Sequence, residues 1–171
     1  MAVPGHSNGE SLRRQLTLFV PEGFAPWVEP LRLELDPVQR ALIAAHVTLC
    51  RKDEIVDLDV TVLRDRLAQA TPLALSFGPA QRFGGHGVLL PCIEGADAFQ
   101  QLRVQALGTR AIREPEPHLT LAHPRNARAP GNEDWRLAAI PVPLRLVFRE
   151  VALIEQLSTS PWVVRETLQL A

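Results

Sequence analysis

Apolar and polar positions alternate or recur in short blocks along this chain, and each block predicts an element. LRRQLTLFVP, Leu12 to Pro21, reads as a strand. Phe24, Trp27, Val28, Leu31 and Leu35 then recur at helical spacing. Pro26 fits the first turn of that helix, Pro30 would kink it or delay its start, and Asp36-Pro37 marks a break. A short strand follows, carrying HVTL from His46. Val56, Val60, Leu63, Leu67 and Ala70 form a stripe that predicts a second helix. PLALSF and GVLLPCI predict two strands, joined by the Gly- and Pro-rich loop GPAQRFGGHG. Ala98, Phe99, Leu102 and Ala106 predict a third helix, with Gly108 as its stop. HLTL, from His118, predicts a strand that runs into the loop HPRNARAPGN. Asn132 is placed to cap a short helix running through Trp135 to Ala139, with Glu133 and Asp134 in its first turn, and PLRLVFREVALIEQL and PWVVRETLQL predict the closing strands.

The pattern repeats. HVTL and HLTL start 72 positions apart, and PLALSF and PLRLVF start 71 apart, at Pro72 and Pro143. Two unrelated patterns at nearly one offset predict an internal duplication. The fold expected is α+β, a bilobal duplicated unit with two antiparallel sheets flanked by helices around a central cleft. Residues 1–11 are expected to form a flexible tail that includes His6, and residues 12–171 a single bilobal domain with H-x-T motifs at 46–49 and 118–121.

Composition narrows the function classes. The 171 residues carry a formal net charge of −1, so no general attraction to nucleic acid is implied and any nucleotide site must be local. Cys50 and Cys92 have no metal-type spacing, which favours a reduced, cytoplasmic protein with both thiols acting as small apolar residues. The N-terminal stretch lacks the apolar run of a signal peptide, and no segment approaches a membrane span.

The duplicated strands carry the candidate chemistry. Side chains alternate along a strand, so His46 and Thr48 project from one face and Val47 and Leu49 from the other. His118 and Thr120 stand in the same relation to Leu119 and Leu121. Lobes related by a two-fold would bring two imidazoles and two hydroxyls to one cleft. That set suits a phosphodiester. One imidazole takes a proton from the nucleophile, the other gives one to the leaving oxygen, and the hydroxyls donate to the non-bridging oxygens. No metal or cofactor is needed, and His118 with His123 lacks a third ligand for one. Five His and eight Thr give two such motifs by chance in about one sequence per thousand. The doubled motif therefore weighs against the plainer reading, polar strand positions packed in an interface.

With HVTL and HLTL at matching places in a duplicated α+β unit, the chain resembles the 2H phosphoesterase superfamily, and within it the bacterial 2′-5′ RNA ligase-like proteins. The likeness runs from about Leu12 to Leu170, with LTLFVPEG like the first strand of that family and PWVVRETLQL like its last. It implies metal-independent chemistry on 2′,3′-cyclic phosphates or 2′-5′ linkages, with His46 and His118 as the acid/base pair and Thr48 and Thr120 holding phosphate. RNA ends or small cyclic nucleotides are the implied substrates, and no obligate protein partner is implied. There are departures. Ala45 stands where many relatives have Pro, while Pro117 keeps that residue in the second motif. His123 stands where many have Arg, and Arg125 follows two positions later. His123 and Arg125 are candidate substrate-binding residues, as is Phe83 for stacking on a base. His86 and Arg51 are expected to be ordinary loop and surface residues, and the three Trp to lie in the core or an interface. The alternative to an enzyme is a module of the same fold that binds a nucleotide or RNA end with little or no turnover.

Overall fold

Leu16 and Leu18 are fully buried, and the residues between and beside them, Gln15, Thr17 and Phe19, face the other way. This strand, β1 (Leu12–Phe19), begins the chain in a computed structural model that describes residues 11–108, 113–134, 136 and 140–171. Residues 1–10 of the expected tail, His6 among them, lie outside the described residues. Of the helix expected after Asn132, only Glu133, Asp134 and Arg136 are described, and Asn132 ends a short 3-10 turn, Pro130–Asn132, with its Oδ1 accepting from Gly87 N in place of capping a helix.

After β1 come α1 (Ala25–Leu35), α2 (Pro37–Leu42) and β2 (His46–Cys50). Then follow α3 (Val60–Leu67), β3 (Leu73–Phe77), β4 (Gln81–Arg82), β5 (Val88–Glu94) and α4 (Ala96–Leu107). The chain closes with β6 (His118–Ala122), β7 (Leu144–Phe148), β8 (Glu150–Leu157) and β9 (Val163–Gln169). One sheet has the order β2-β1-β8-β9. The other runs β4-β5-β3-β7, with β6 paired to β5. Every pairing is antiparallel, so the architecture is α+β with two sheets, as the sequence implies.

The duplication is real, but one of its two sequence markers is not part of it. In the first sheet Leu16 pairs with Cys50, Thr17 with Thr48, Leu18 with Val47 and Phe19 with His46. In the second, Val88 pairs with Ala122, Leu89 with Thr120, Leu90 with Leu119 and Pro91 with His118. Each of these eight positions has its counterpart 72 residues away. The ladders even share a bulge, between Leu16 and Thr17 and between Val88 and Leu89. PLALSF and PLRLVF, by contrast, are not equivalent. They are β3 and β7, adjacent partners in one sheet, with Leu73 opposite Phe148 and Phe77 opposite Leu144. The strand in the first sheet that occupies the place of β3 is β8, and the chain crosses between sheets at Arg149.

Helix boundaries follow capping chemistry. Asp36 accepts from Gln39 N and starts α2, and Asp59 accepts from Thr61 N and Val62 N to start α3. The second helix is therefore shorter than the apolar stripe predicts, and Val56 is 70% exposed ahead of it. Pro30 neither breaks nor delays α1. Gly108, at φ 71°, ends α4 as expected. Trp27, expected in the core or an interface, is 60% exposed and so not in the core. Trp162 is half-buried, and Trp135 lies outside the described residues.

The helices cross between the sheets. α1 packs on β6, and α4 packs on β2 as well as β3. Arg103 of α4, 1% exposed, donates to the carbonyl of Leu49 on β2, to Glu54 and, at 3.2 Å, to the carbonyl of Arg113. Its bond to Leu49 thus ties the second sheet's helix to the first sheet's motif strand, and its ion pair with Glu54 holds the turn beyond that strand. Removing Arg103 takes the buried donor from the Leu49 and Arg113 carbonyls and leaves Glu54 with the Arg51 N–H alone. Arg103→Ala is expected to cost about 3–5 kcal/mol in urea unfolding; a loss under about 1 kcal/mol would mean that the strap contributes little.

Candidate active site

β2 and β6 carry the same burial pattern, with His and Thr half-buried and the intervening apolar residues buried. Val47, Leu49, Leu119 and Leu121 are each at most 1% exposed, and they anchor the two strands in the core. The strands lie near one another across the lobes. His46, Thr48, His118 and Thr120 thus come to one region, and charge on His118 is felt at His46.

Both imidazoles are held the same way. His46 Nδ1 lies 2.8 Å from the carbonyl of Ala44, and His118 Nδ1 lies 2.9 Å from the carbonyl of Glu116. A carbonyl only accepts, so in each neutral ring the proton sits on Nδ1 and the lone pair on Nε2. Neither Nε2 has a protein partner among the described residues. Each ring also meets an aromatic edge: Phe19 at 6.2 Å from His46 and Phe83 at 5.4 Å from His118, centroid to centroid.

Burial pushes His46 from 6.5 down to about 4, against the Ala44 hydrogen bond that raises it; Arg32, His123 and His118 lower it further. Arg32, 2% exposed on α1, forms an ion pair with Glu29, whose carboxylate accepts the N–H of Ala45 at 2.5 Å. That contact fixes the backbone immediately before His46.

His123 lies just past the end of β6, and the structure brings it into the cluster. Its ring senses Arg13 and His118, and burial lowers its pKa, with Arg125 adding to the fall and Asp36 opposing it. Arg125 is exposed beside it. Phe83 reaches the site through His118, whereas His86 stays exposed on the same loop. Arg51 is exposed too.

Three residues of the site are not evident from the motif. Gln15 Nε2 donates to Thr17 Oγ1 at 2.8 Å and to Thr48 Oγ1 at 3.1 Å, orienting the first motif's hydroxyl. Arg13 stacks over Trp162 at 5.5 Å and donates to Gln156. Asp36, fully buried, accepts from His123 N at 2.9 Å and from Asn126 Nδ2 at 2.8 Å. The Asp-Pro pair signals a helix start, but no local pattern signals a partner 87 residues away. Among the described residues no group of three His, Cys, Asp or Glu side chains is placed to hold a metal ion.

The family described as the 2′-5′ RNA ligase superfamily matches residues 20–159. No curated protein sequence gives a significant match. Among solved structures the chain is similar to E. coli LigT complexed with ATP, at 16% identity and a TM-score of 0.60, covering 95% of this chain and 99% of that one. LigT is also known complexed with phosphate and with 3′-AMP. The protein TT0787 of Thermus thermophilus is similar at 18% identity and a TM-score of 0.58, covering 92% of this chain and 97% of the other. At such identities these likenesses establish the fold.

The depressed pKa of His46 links stability to pH. As pH falls below 6.5 the unfolded chain takes up this proton, while the folded chain resists until about 4. His46 therefore contributes stability that is complete above 6.5 and lost as pH falls towards about 4. Urea midpoints across that range should fall more steeply for the wild type than for His46→Gln; equal slopes would contradict the assignment.

Proposed function

The chain belongs to the 2′-5′ RNA ligase superfamily, and we propose from that premise that it is a metal-independent phosphoesterase acting on 2′,3′-cyclic phosphates of RNA ends or nucleotides. The observation that carries this reading is the pair of half-buried imidazoles on equivalent strands, each with Nδ1 tied to a carbonyl and Nε2 unpartnered.

Ring opening is a single displacement at phosphorus. His46, kept neutral by burial, takes a proton from water at Nε2 as the water oxygen attacks phosphorus. The bond from phosphorus to one ribose oxygen breaks, and that oxygen receives a proton from Nε2 of His118, which begins as the imidazolium. The products are a phosphomonoester and a free hydroxyl. Thr48, oriented by Gln15, and Thr120 donate to the non-bridging oxygens, where charge grows. Phe83 offers a stacking face to a base, and Arg125 an exposed cation to a neighbouring phosphate. With an RNA hydroxyl in place of water the same step would join a 2′-5′ linkage, and its reverse, in which the vicinal ribose hydroxyl attacks and the cyclic phosphate re-forms, would cleave one. Two free thiols, Cys50 and Cys92, fit a reducing, cytoplasmic setting, and no helix among the described residues is long and apolar enough to cross a membrane.

The test uses RNA ending in a 2′,3′-cyclic phosphate, with EDTA present. Ring opening should persist in EDTA. It should fall by about 10²–10⁴ in His46→Ala and in His118→Ala, and by about ten- to a hundredfold in either Thr→Ala variant. The acid limb of kcat/KM should lie near 4, the value set by His46. Activity lost to EDTA and restored by a divalent metal would overturn the mechanism. A folded wild type that binds the RNA end without opening it would point to a binding module.

A further inference from the structure

Three imidazoles lie within electrostatic reach of one another, and one is held the opposite way round. His46 and His118 each set Nδ1 against a carbonyl oxygen, which can only accept. His123 sets Nδ1 3.1 Å from the backbone N–H of Arg125, which can only donate. His123 Nδ1 must therefore carry a lone pair, and in the neutral ring the proton lies on Nε2. Where the other two neutral rings present a lone pair at Nε2, His123 presents an N–H. Protonating it fully would set two N–H donors against each other at Nδ1.

The loop makes this arrangement rigid. His123 N and Asn126 Nδ2 both donate to the buried carboxylate of Asp36, and Asn126 N donates back to the carbonyl of His123 at 3.0 Å. Asn132 Nδ2 adds a bond to the carbonyl of Asn126 at 2.8 Å. Pro124, next to His123, lies so close to Gly87 that a Cβ there would sit 2.9 Å from the Pro124 Cα. The ring cannot exchange tautomers by reorienting its loop without breaking these contacts. The charged and titratable groups that face it are Arg13 from β1, His118 from β6, Asp36 from the α1–α2 junction and Arg125 from its own turn, with His46 on β2 within electrostatic reach. Three of these, Arg13, Arg125 and protonated His118, oppose a charge on His123; Asp36 alone favours one, and its carboxylate is already engaged by backbone and amide N–H groups.

We propose that His123 holds the substrate phosphate as a fixed, neutral Nε2–H donor, so that this position gives the doubly charged monoester product no advantage over the singly charged cyclic phosphodiester. This rests on the phosphoesterase reading above. A guanidinium in the same place would bind both species, and would hold the dianion more tightly because charge-assisted, bidentate bonds favour the greater charge. A neutral N–H contributes a hydrogen bond to either species without that bias. The consequence is weaker retention of product than a guanidinium would give.

Two measurements test it. Long-range proton–nitrogen spectra of the ring nitrogens near neutral pH should show His123 as the neutral Nε2–H form and His46 as the neutral Nδ1–H form. A charged His123, or one protonated on Nδ1, overturns the proposal whether or not the protein turns over any substrate. Kinetics with a 2′,3′-cyclic nucleotide, and inhibition by the 2′- and 3′-monophosphates, provide the second arm. His123→Ala should lower kcat/KM by about ten- to a hundredfold. His123→Gln, which keeps a neutral N–H, should recover most of that loss and leave both limbs of the pH profile in place. His123→Arg should tighten inhibition by the monophosphates at least about tenfold. A Gln variant as impaired as Ala, or an Arg variant with unchanged product inhibition, would sink the assignment. If the wild type opens no cyclic phosphate, the phosphoesterase reading falls by itself. The spectra, and calorimetric binding of the same monophosphates to wild type and His123→Arg, would then decide the role of His123 separately.

Discussion

Everything in the cleft depends on the register of two ladders, β1 with β2 and β5 with β6. A slip of one residue would turn His46 and Thr48 into the core and Val47 and Leu49 into the cleft. What opposes the slip is burial on the far face. Val47, Leu49, Leu119 and Leu121 are essentially fully buried, and each such side chain is worth about 1.5–3 kcal/mol out of water. A slip would forfeit that burial and also place an imidazole and a hydroxyl among apolar neighbours with no partners. The bulge at the same place in both ladders shows that the local twist, as well as the pattern of side chains, is duplicated.

Register alone does not bring the halves together, because β2 and β6 are both outer strands of their sheets. Two crossed polar contacts join them. Arg103 reaches from α4 to the carbonyl of Leu49, and Asp36 reaches from the α1–α2 junction to the backbone N–H of His123. Both use a nearly inaccessible side chain, and both satisfy a backbone group at the C-terminal end of a motif strand or just beyond it. Buried charge is a weak source of net stability, since desolvation offsets most of its attraction. Its directional demands make it a good source of geometry. The straps fix where each H-x-T strand ends, and with it where the two histidines and His123 stand.

The sequence exposes the part of this that is local and periodic. The H-x-T alternation, the Gly108 stop and the apolar faces can be read because they follow from strand and helix geometry within a few residues. The offset of 72 is visible at the histidines. The same offset relates β1 to β5, yet Gln15, Thr17 and Phe19 share no chemistry with Gly87, Leu89 and Pro91, so the eye passes over it. PLALSF and PLRLVF mislead for a related reason. Adjacent strands packed on one core demand similar apolar residues, and similarity from shared environment resembles similarity from shared descent. Asp36 looks like a helix start and is one, but its second and third hydrogen bonds join residues that only the tertiary fold makes neighbours.

Those unlike partners matter for the proposed chemistry. Two identical motifs in identical surroundings would have identical proton affinities, and a pair that must act as acid and base together needs them to differ. Duplication supplies the matching geometry; divergence around it supplies the difference. Opposite His46 and Thr48 stand Phe19 and Thr17, with Gln15 bonded to both threonines and Arg32 buried nearby. Opposite His118 and Thr120 stand Pro91 and Leu89, and Gly87 in the place of Gln15 supplies no side chain at all. Burial and neighbouring positive charge then keep His46 neutral. The space left by Gly87 is filled by the turn after β6, with Pro124 and Phe83 in close approach. That turn carries His123. The absence of a side chain at Gly87, just before β5, thus leaves room for the turn that carries the third imidazole.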